Sequence, residues 1–117
     1  MTSTSTDFLT TGRRVIQREA GALAALADAL GASFAAAMAL LLAVEGRVIV
    51  SGMGKSGHVA RKIAATFAST GQPAHFVHPA EASHGDLGMV AKGDVLIVLS
   101  NSGETPELAD ILAHAKR

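Results

Sequence analysis

The stretch Arg47-Val-Ile-Val-Ser-Gly-Met-Gly-Lys-Ser-Gly-His-Val-Ala-Arg61 decides the fold of this chain of 117 residues. It opens with Val48-Ile-Val50, a short β-branched run that is typical of a strand buried on both faces of a parallel sheet. Three glycines then allow a tight turn, and apolar residues spaced four apart predict an amphipathic helix that continues to about Thr70. A glycine-rich turn that opens a helix presents unpaired N–H groups and the positive end of the helix dipole. It therefore predicts a site for a phosphate-type anion.

Two nucleotide-binding motifs share part of this outline, and their spacing disfavours both. Gly52-x-Gly54-x-x-Gly57 fits the dinucleotide fingerprint, which also needs an acidic residue about 20 residues further on. The next predicted strand, Ala74 to His78, has no acid at its end. Gly54-Lys55-Ser56 resembles the end of a P-loop, but that loop needs a glycine where Ile49 stands. Both nucleotide interpretations are weak.

The composition indicates one small domain. Hydrophobic residues make up 49% of the chain, and ten basic side chains balance ten acidic ones. A net charge of zero without interleaved aromatic and basic residues argues against nucleic acid as a partner. The chain has no cysteine, which excludes a disulfide framework and fits a reducing, cytoplasmic location.

The N-terminal third is predicted to be helical. Residues 1–6 form a Thr/Ser-rich tail that we expect to be disordered, and a partial domain follows over residues 7–117. A first helical stripe ends near Gly31, and Ser33 is a candidate cap for a second helix that closes at Gly46.

The apolar stretch Ala20 to Val44 has two interpretations. It resembles a membrane span in length, but Asp28 interrupts it and its apolar residues follow helical periodicity. We favour a buried helix pair over membrane insertion. Because the pair has more apolar surface than one sheet face covers, packing against another subunit is our hypothesis for the surplus.

The C-terminal half alternates predicted strands and helices. A second strand covers Ala74 to His78, a loop covers Pro79 to Val90, and a third strand covers Val95 to Leu99. Thr105 as N-cap and Pro106 at the first helical position begin the last helix. This alternation predicts an α/β fold with right-handed crossovers: a three-layer, flavodoxin-like parallel sheet with helices on both faces, preceded by the helix pair. Open sheets usually have about five or six strands, so we expect truncation after the third.

Two polar loops are predicted to meet at one edge of this sheet. The turn Gly52 to Gly57 and the segment Ser100 to Thr105 both follow the carboxyl ends of strands, where open parallel sheets bind ligands. Ordinary capping and turn chemistry is the alternative for such residues. The density of short polar side chains favours a phosphate monoester. The candidate substrate-binding residues are Gly54, Lys55, Ser56, Ser100, Asn101, Ser102 and Thr105.

Ser100-Asn-Ser-Gly-Glu-Thr105, paired with Gly52-Met-Gly-Lys-Ser-Gly57, resembles the sugar isomerase (SIS) domain. The similarity is closer still to its arabinose-5-phosphate isomerase branch, through Gly52 to Gly71 and His78-Pro-Ala-Glu-Ala-Ser-His-Gly-Asp-Leu-Gly88, and covers roughly residues 16–117. The resemblance implies interconversion of D-ribulose 5-phosphate and D-arabinose 5-phosphate, an early step toward the octulosonate sugar of lipopolysaccharide or capsule. It also implies a homo-oligomer (a tetramer in the family) that needs no cofactor. Further strands, another active-site histidine and a tandem CBS pair would lie beyond residue 117.

Three residues match positions associated with the active site of that family: Lys55, His84 and Glu107. Aldose–ketose isomerisation moves a proton between C1 and C2 through an enediol, so it needs a base and a group that stabilises the developing oxyanion. We predict Glu107 as the base. Lys55 would neutralise the phosphate or polarise a substrate oxygen, and His84 would shuttle protons or assist ring opening.

Each of these assignments has a plainer alternative. Glu107 could be a helix N-terminal carboxylate, Lys55 a solvated loop lysine and His84 a structural loop histidine. The other histidines lack the spacing of a metal site, so no metal is predicted. Two rival functions remain at this stage: a sugar-phosphate-binding SIS module that senses its ligand without catalysis, and an oligomerising scaffold without activity.

Overall fold

The computed structural model of the chain describes residues 4–83, 90–101 and 106–116. The chain divides into two units, Met1–Met38 and Ala39–Arg117. In order, the elements are α1 (Ser5–Ala29), α2 (Ala32–Leu42), β1 (Val48–Gly52), α3 (Gly54–Ser69), β2 (Ala74–Phe76), α4 (Pro79–Ser83), β3 (Val95–Leu99), a 3₁₀ turn (Pro106–Leu108) and α5 (Ala109–Lys116).

Helix α1 starts with a capping box. The Thr4 side chain accepts a hydrogen bond from the Asp7 amide, and the Asp7 carboxylate accepts one from the Thr4 amide, both at 3.2 Å. These bonds satisfy amides that the first helical turn leaves unpaired. The helix therefore begins at Ser5, and the disordered tail predicted over residues 1–6 is wrong for its last residues.

The N-terminal helices form where the sequence predicts them, but they are not buried. Every residue of α1 and α2 is described, and none is buried. Their exposed large apolar side chains are Phe8, Leu9, Val15, Ile16, Leu23, Leu26, Leu30, Phe34, Met38, Leu40 and Leu42. The expectation of a buried helix pair is therefore wrong within this chain.

The length and hydropathy of the same segment bear on membrane insertion. Among the described helices, none is by itself long and apolar enough to cross a membrane. Helices α1 and α2 meet that criterion only when taken together, and they are bent by 81° at their break.

The three strands form one parallel sheet in the order β2-β1-β3. The register pairs Val48 with Ala74 and Val95, and Gly52 with Leu99. The central strand is inaccessible to solvent along Val48 to Ser51. Its apolar run is thus the doubly covered strand that the sequence predicts.

Helices cover both faces of this sheet. On one face, Val48 and Val50 pack with Ala60 and Ala64 of α3. On the other face, Ile49 packs in a cluster that includes Val77, Val90, Leu108 and Ile111. Because side chains alternate along a strand, the three consecutive apolar residues of β1 serve two separate clusters. The predicted three-layer architecture is confirmed.

The segment predicted as one long loop from Pro79 to Val90 contains a short helix. Helix α4 covers Pro79–Ser83, and it packs against α5 and the 3₁₀ turn. Proline suits the first position of a helix because its missing N–H would have no partner there. The alanines that follow favour the helical conformation. The loop prediction is wrong for these residues.

A carboxylate joins the turns at the amino edge of the sheet. Asp94 accepts hydrogen bonds from the amides of Arg47 at 2.7 Å and Ala91 at 2.9 Å. Burial alone would raise the pKa of Asp94, but these two bonds and the neighbouring charges of Arg47 and His75 lower it overall. Asp94 thus connects the start of β1 to the turn before β3.

His75 lies next to this carboxylate on β2. Burial and then the charge of Arg47 lower its pKa, against the opposing effect of Asp94. Its Nδ1 lies 3.5 Å from the Arg47 guanidinium, and its Nε2 is buried without a hydrogen bond to any of the described residues. The neutral ring is therefore the form that suits the folded state.

We expect Asp94→Asn to lower the free energy of unfolding by about 1–2 kcal/mol near neutral pH, because the amide loses the charge and one of two acceptors. The folded-state pKa of Asp94 is depressed, so its contribution is complete above the unfolded value of about 3.9 and is lost as the pH falls through the lower folded value. We would measure the free energy of unfolding by urea titration between about pH 3 and pH 7. In the wild-type chain it should fall at the acid end of this range, and in the variant it should fall much less.

The control for this experiment is His75→Gln. Protonation of His75 also destabilises the fold, but that loss begins as the pH falls below about 6.5, so the two groups act in separate windows. If the free energy of unfolding of Asp94→Asn fell at acid pH as much as that of the wild type, the role given to Asp94 would be contradicted.

Candidate functional site

The glycines of the turn after β1 hold the strand end and the next helix in near-contact. A β-carbon on Gly57 would lie 2.7 Å from the carbonyl oxygen of Gly52. One on Gly52 would lie 3.0 Å from the Ser56 backbone and 3.1 Å from the Leu99 carbonyl oxygen. Gly54 has φ +57°, the left-handed conformation that side chains disfavour. The sequence Gly-x-Gly-x-x-Gly is thus explained by packing and by one turn conformation.

The first turn of α3 is exposed and has no side-chain cap among the described residues. Its N-cap residue, Met53, is extended and makes no side-chain capping bond, and the first helical bond runs from the Gly57 amide to the Met53 carbonyl at 3.2 Å. The amides ahead of Gly57 therefore present the positive end of a 16-residue helix. Lys55 is exposed on this turn and Ser56 is half-buried.

The second predicted loop begins beside this turn. Leu99 of β3 is in register with Gly52 of β1, and the strands are parallel. Ser100, half-buried, and Asn101, exposed, therefore continue from the same edge of the sheet as the glycine turn. The predicted meeting of the two strand ends is confirmed, whereas Ser102 and Thr105 lie outside the described residues.

The predicted base stands at the start of the last helical segment. Glu107 belongs to the 3₁₀ turn Pro106–Leu108, and burial of Leu108 and Ile111 in the core fixes the position of that turn. Helix α4 packs against the same turn. His84 follows α4 directly in sequence, but it lies outside the described residues. The catalytic roles of Glu107, His84 and Lys55 stay predictions.

Two residues near this edge have functions in the structure that the sequence analysis did not assign. Ser51 is completely buried, and its hydroxyl donates a hydrogen bond to the Val77 carbonyl at 2.6 Å, which joins β1 to β2 beyond their ladder. His78 accepts a hydrogen bond from the Ala80 amide at its Nδ1. A serine at the end of a β-branched run and a histidine before proline are the only sequence signals for these contacts.

An open cavity of about 980 Å³ lies elsewhere, at the amino end of β3. Val90, Asp94, Leu96 and His114 are among the residues that line it. It is therefore at the opposite end of β3 from Ser100, and the described residues that line it include no predicted site residue.

Comparison with known proteins defines the class to which this fold and site belong. A sequence profile of the SIS domain matches residues 41–117, so the chain belongs to the SIS domain family. The chain is 55% identical over 115 residues to arabinose 5-phosphate isomerase KdsD of Pseudomonas aeruginosa, which covers 98% of the chain and 35% of that relative. It is 50% identical over 111 residues to KdsD of Yersinia pestis, covering 95% of the chain and 34% of the relative.

Solved structures agree with these relatives. The structure of c3406 of E. coli CFT073 in complex with arabinose 5-phosphate superposes with a TM-score of 0.89 at 46% identity, covering 97% of this chain and 61% of that one. A putative phosphosugar isomerase involved in capsule formation from Bacteroides fragilis gives a TM-score of 0.78 at 38% identity, covering 92% of this chain and 57% of that one. The resemblance to arabinose-5-phosphate isomerases is confirmed, and the chain spans about a third of the length of the curated relatives it matches.

Proposed function

We propose that the chain is the sugar-phosphate-binding part of an isomerase that interconverts D-ribulose 5-phosphate and D-arabinose 5-phosphate through an enediol. The observation that carries this proposal is the parallel pairing of β1 with β3, which brings the open first turn of α3 and the Ser100 segment to one edge of the sheet. The names of the relatives and the arabinose 5-phosphate complex of a similar structure support the choice of substrate.

The phosphate would bind between the two strand ends. Backbone amides at the start of α3 supply donors and a favourable dipole, and Lys55 adds a positive charge on the same turn. The hydroxyls and amide of Ser100, Asn101, Ser102 and Thr105 would complete the cradle. No aromatic platform for a nucleobase is contributed by the described residues of these two loops.

The reaction then needs one proton to move between C1 and C2. Glu107 would remove it as the base, and a positive charge or N–H donor would stabilise the oxyanion of the enediol. Lys55 serves that purpose or neutralises the phosphate, and His84 would carry protons between substrate oxygens or assist opening of the furanose ring.

The exposed apolar stripe of the N-terminal helices supports a homo-oligomer. Helix α1 has 25 residues, none of them buried, and its large apolar side chains recur with helical spacing. Contiguous exposed apolar surface of this kind is typical of an interaction site. We propose that other copies of the chain cover this stripe in a tetramer. We also propose that the protein is cytoplasmic and contributes to synthesis of a sugar of lipopolysaccharide or capsule.

One assay tests the proposed function. The purified chain is incubated with ribulose 5-phosphate, formation of arabinose 5-phosphate is measured, and binding of both sugars is measured by calorimetry. We expect binding and turnover. Binding without turnover would favour a sensor that holds sugar phosphates without catalysis, and the absence of binding would refute the proposal.

A further inference from the structure

His78 lies directly beyond the carboxyl end of β2, at the same edge of the sheet as the glycine turn. Val50 is in register with Phe76, and the Val77 amide donates to the Val50 carbonyl at 3.0 Å. The Ser51 hydroxyl then holds the Val77 carbonyl. Continued by two more residues, this register sets His78 level with Gly52, where the turn begins.

The hydrogen bond at Nδ1 fixes the tautomer of this histidine. The Ala80 amide lies 3.1 Å from Nδ1, and an amide N–H can only donate. The neutral ring therefore carries its proton on Nε2. Nε2 makes no hydrogen bond to any residue that the structure describes. His78 thus presents an N–H donor whose orientation is set by the start of α4.

The ring of His78 belongs to the face of the sheet that carries α3. Phe76, two residues earlier, packs on that face, and its ring centroid is 6.2 Å from that of His78 in an edge-on arrangement. A Phe76 ring carbon lies 3.8 Å from the β-carbon position of Gly57, and the Arg61 guanidinium lies 4.1 Å from the ring centroid. The imidazole is therefore beside the first two turns of α3.

The strand order separates His78 from the second loop by one strand. Neighbouring strands are about 4.8 Å apart, so β2 and β3 lie about 10 Å from each other across β1. That separation is comparable with the length of an open five-carbon sugar phosphate. If the phosphate group of such a ligand binds near Ser100, its carbonyl end therefore reaches His78.

We propose that His78 is a substrate-binding residue whose Nε2–H donates a hydrogen bond to an oxygen at the end of the sugar phosphate remote from the phosphate group. The inference rests on the proposed function and adds to it a contact that selects for a sugar over bare phosphate. The proposed contact is separate from the structural role of His78, because the hydrogen bond from the Ala80 amide uses Nδ1 and the contact with the sugar uses Nε2.

Two substitutions separate the two nitrogens. In His78→Asn, the shorter side chain keeps an acceptor near the position of Nδ1 and loses the outer donor. We expect this variant to unfold at the wild-type temperature, to bind arabinose 5-phosphate about tenfold more weakly and to bind inorganic phosphate unchanged. In His78→Gln, the longer side chain places a donor near the position of Nε2 but no longer accepts the hydrogen bond from the Ala80 amide. We therefore expect a lower unfolding temperature, with arabinose 5-phosphate affinity within about threefold of the wild type.

Calorimetric titrations with arabinose 5-phosphate and with inorganic phosphate test these expectations. The control is His58→Asn, on the exposed surface of α3, which should change neither affinity. Unchanged arabinose 5-phosphate affinity in His78→Asn overturns the inference, and so does an equal loss for inorganic phosphate. If His78→Asn does not fold, loss of sugar affinity in His78→Gln overturns it and retention supports it. A wild-type chain that binds no sugar phosphate refutes the proposed function first, which distinguishes the two failures.

Discussion

Gly57→Ala is expected to destabilise the chain and to weaken sugar-phosphate binding, although alanine normally favours a helix over glycine by about 0.5–1 kcal/mol. The new methyl group would lie 2.7 Å from the Gly52 carbonyl oxygen, a backbone atom that no side-chain rotation can move away. The first turn of α3 must then shift away from β1. We expect a net loss of about 1–3 kcal/mol in the free energy of unfolding, measured by urea titration. Because the displaced turn carries the amides that we propose bind the phosphate, arabinose 5-phosphate affinity should fall about tenfold.

Gly21→Ala is the matched control. Gly21 is also inside a helix, but a β-carbon there meets nothing within 4 Å. We expect the control to be neutral or to stabilise α1 by up to about 1 kcal/mol, with unchanged affinity. If Gly57→Ala behaved like Gly21→Ala, the close approach of strand and helix would not be what requires glycine at residue 57.

The part of the fold that could be predicted from sequence is the part with local signals. The β-branched run at Val48 to Val50, the glycines after it and the periodic helix beyond are short-range patterns, and the structure confirms all three. The parallel direction of the strands also follows, because strands joined by helical crossovers run parallel and end at one edge of the sheet. That shared edge is what made a phosphate site predictable. The direct pairing of β1 with β3 does not follow from chain order, because β2 lies between them in sequence.

The remaining features depend on contacts that no local pattern encodes. Helix α4 is short, and it is stabilised by packing against a turn more than 20 residues later in the chain. The apolar stripe of α1 predicts burial, yet no residue of α1 is buried within this chain, because periodicity says which face is apolar and not what covers it. The tautomer of His78 depends on one amide, that of Ala80, which the sequence could only have placed once the helix was known.

Glu107→Gln is expected to abolish most of the proposed isomerase activity while leaving ligand binding intact. An amide cannot accept the proton that moves between C1 and C2, and a positioned general base contributes about 10²- to 10⁴-fold to such a step. Glu107 lies in the 3₁₀ turn Pro106–Leu108, which buried Leu108 fixes against the core, so we expect the turn to form in the variant as well. Conversion of ribulose 5-phosphate should therefore fall about 10³-fold, with arabinose 5-phosphate affinity within about threefold of the wild type.

Glu45→Gln is the control for this substitution, since Glu45 is exposed and precedes β1, at the opposite edge of the sheet from the candidate site. It removes the same charge from the chain, so any effect of net charge on substrate attraction appears in both variants, whereas loss of the base appears only in Glu107→Gln. Unchanged turnover in Glu107→Gln would show that another group removes the proton. A loss of affinity with an unchanged kcat would instead show that Glu107 binds the ground state, because an interaction made equally with substrate and transition state changes KM without changing kcat.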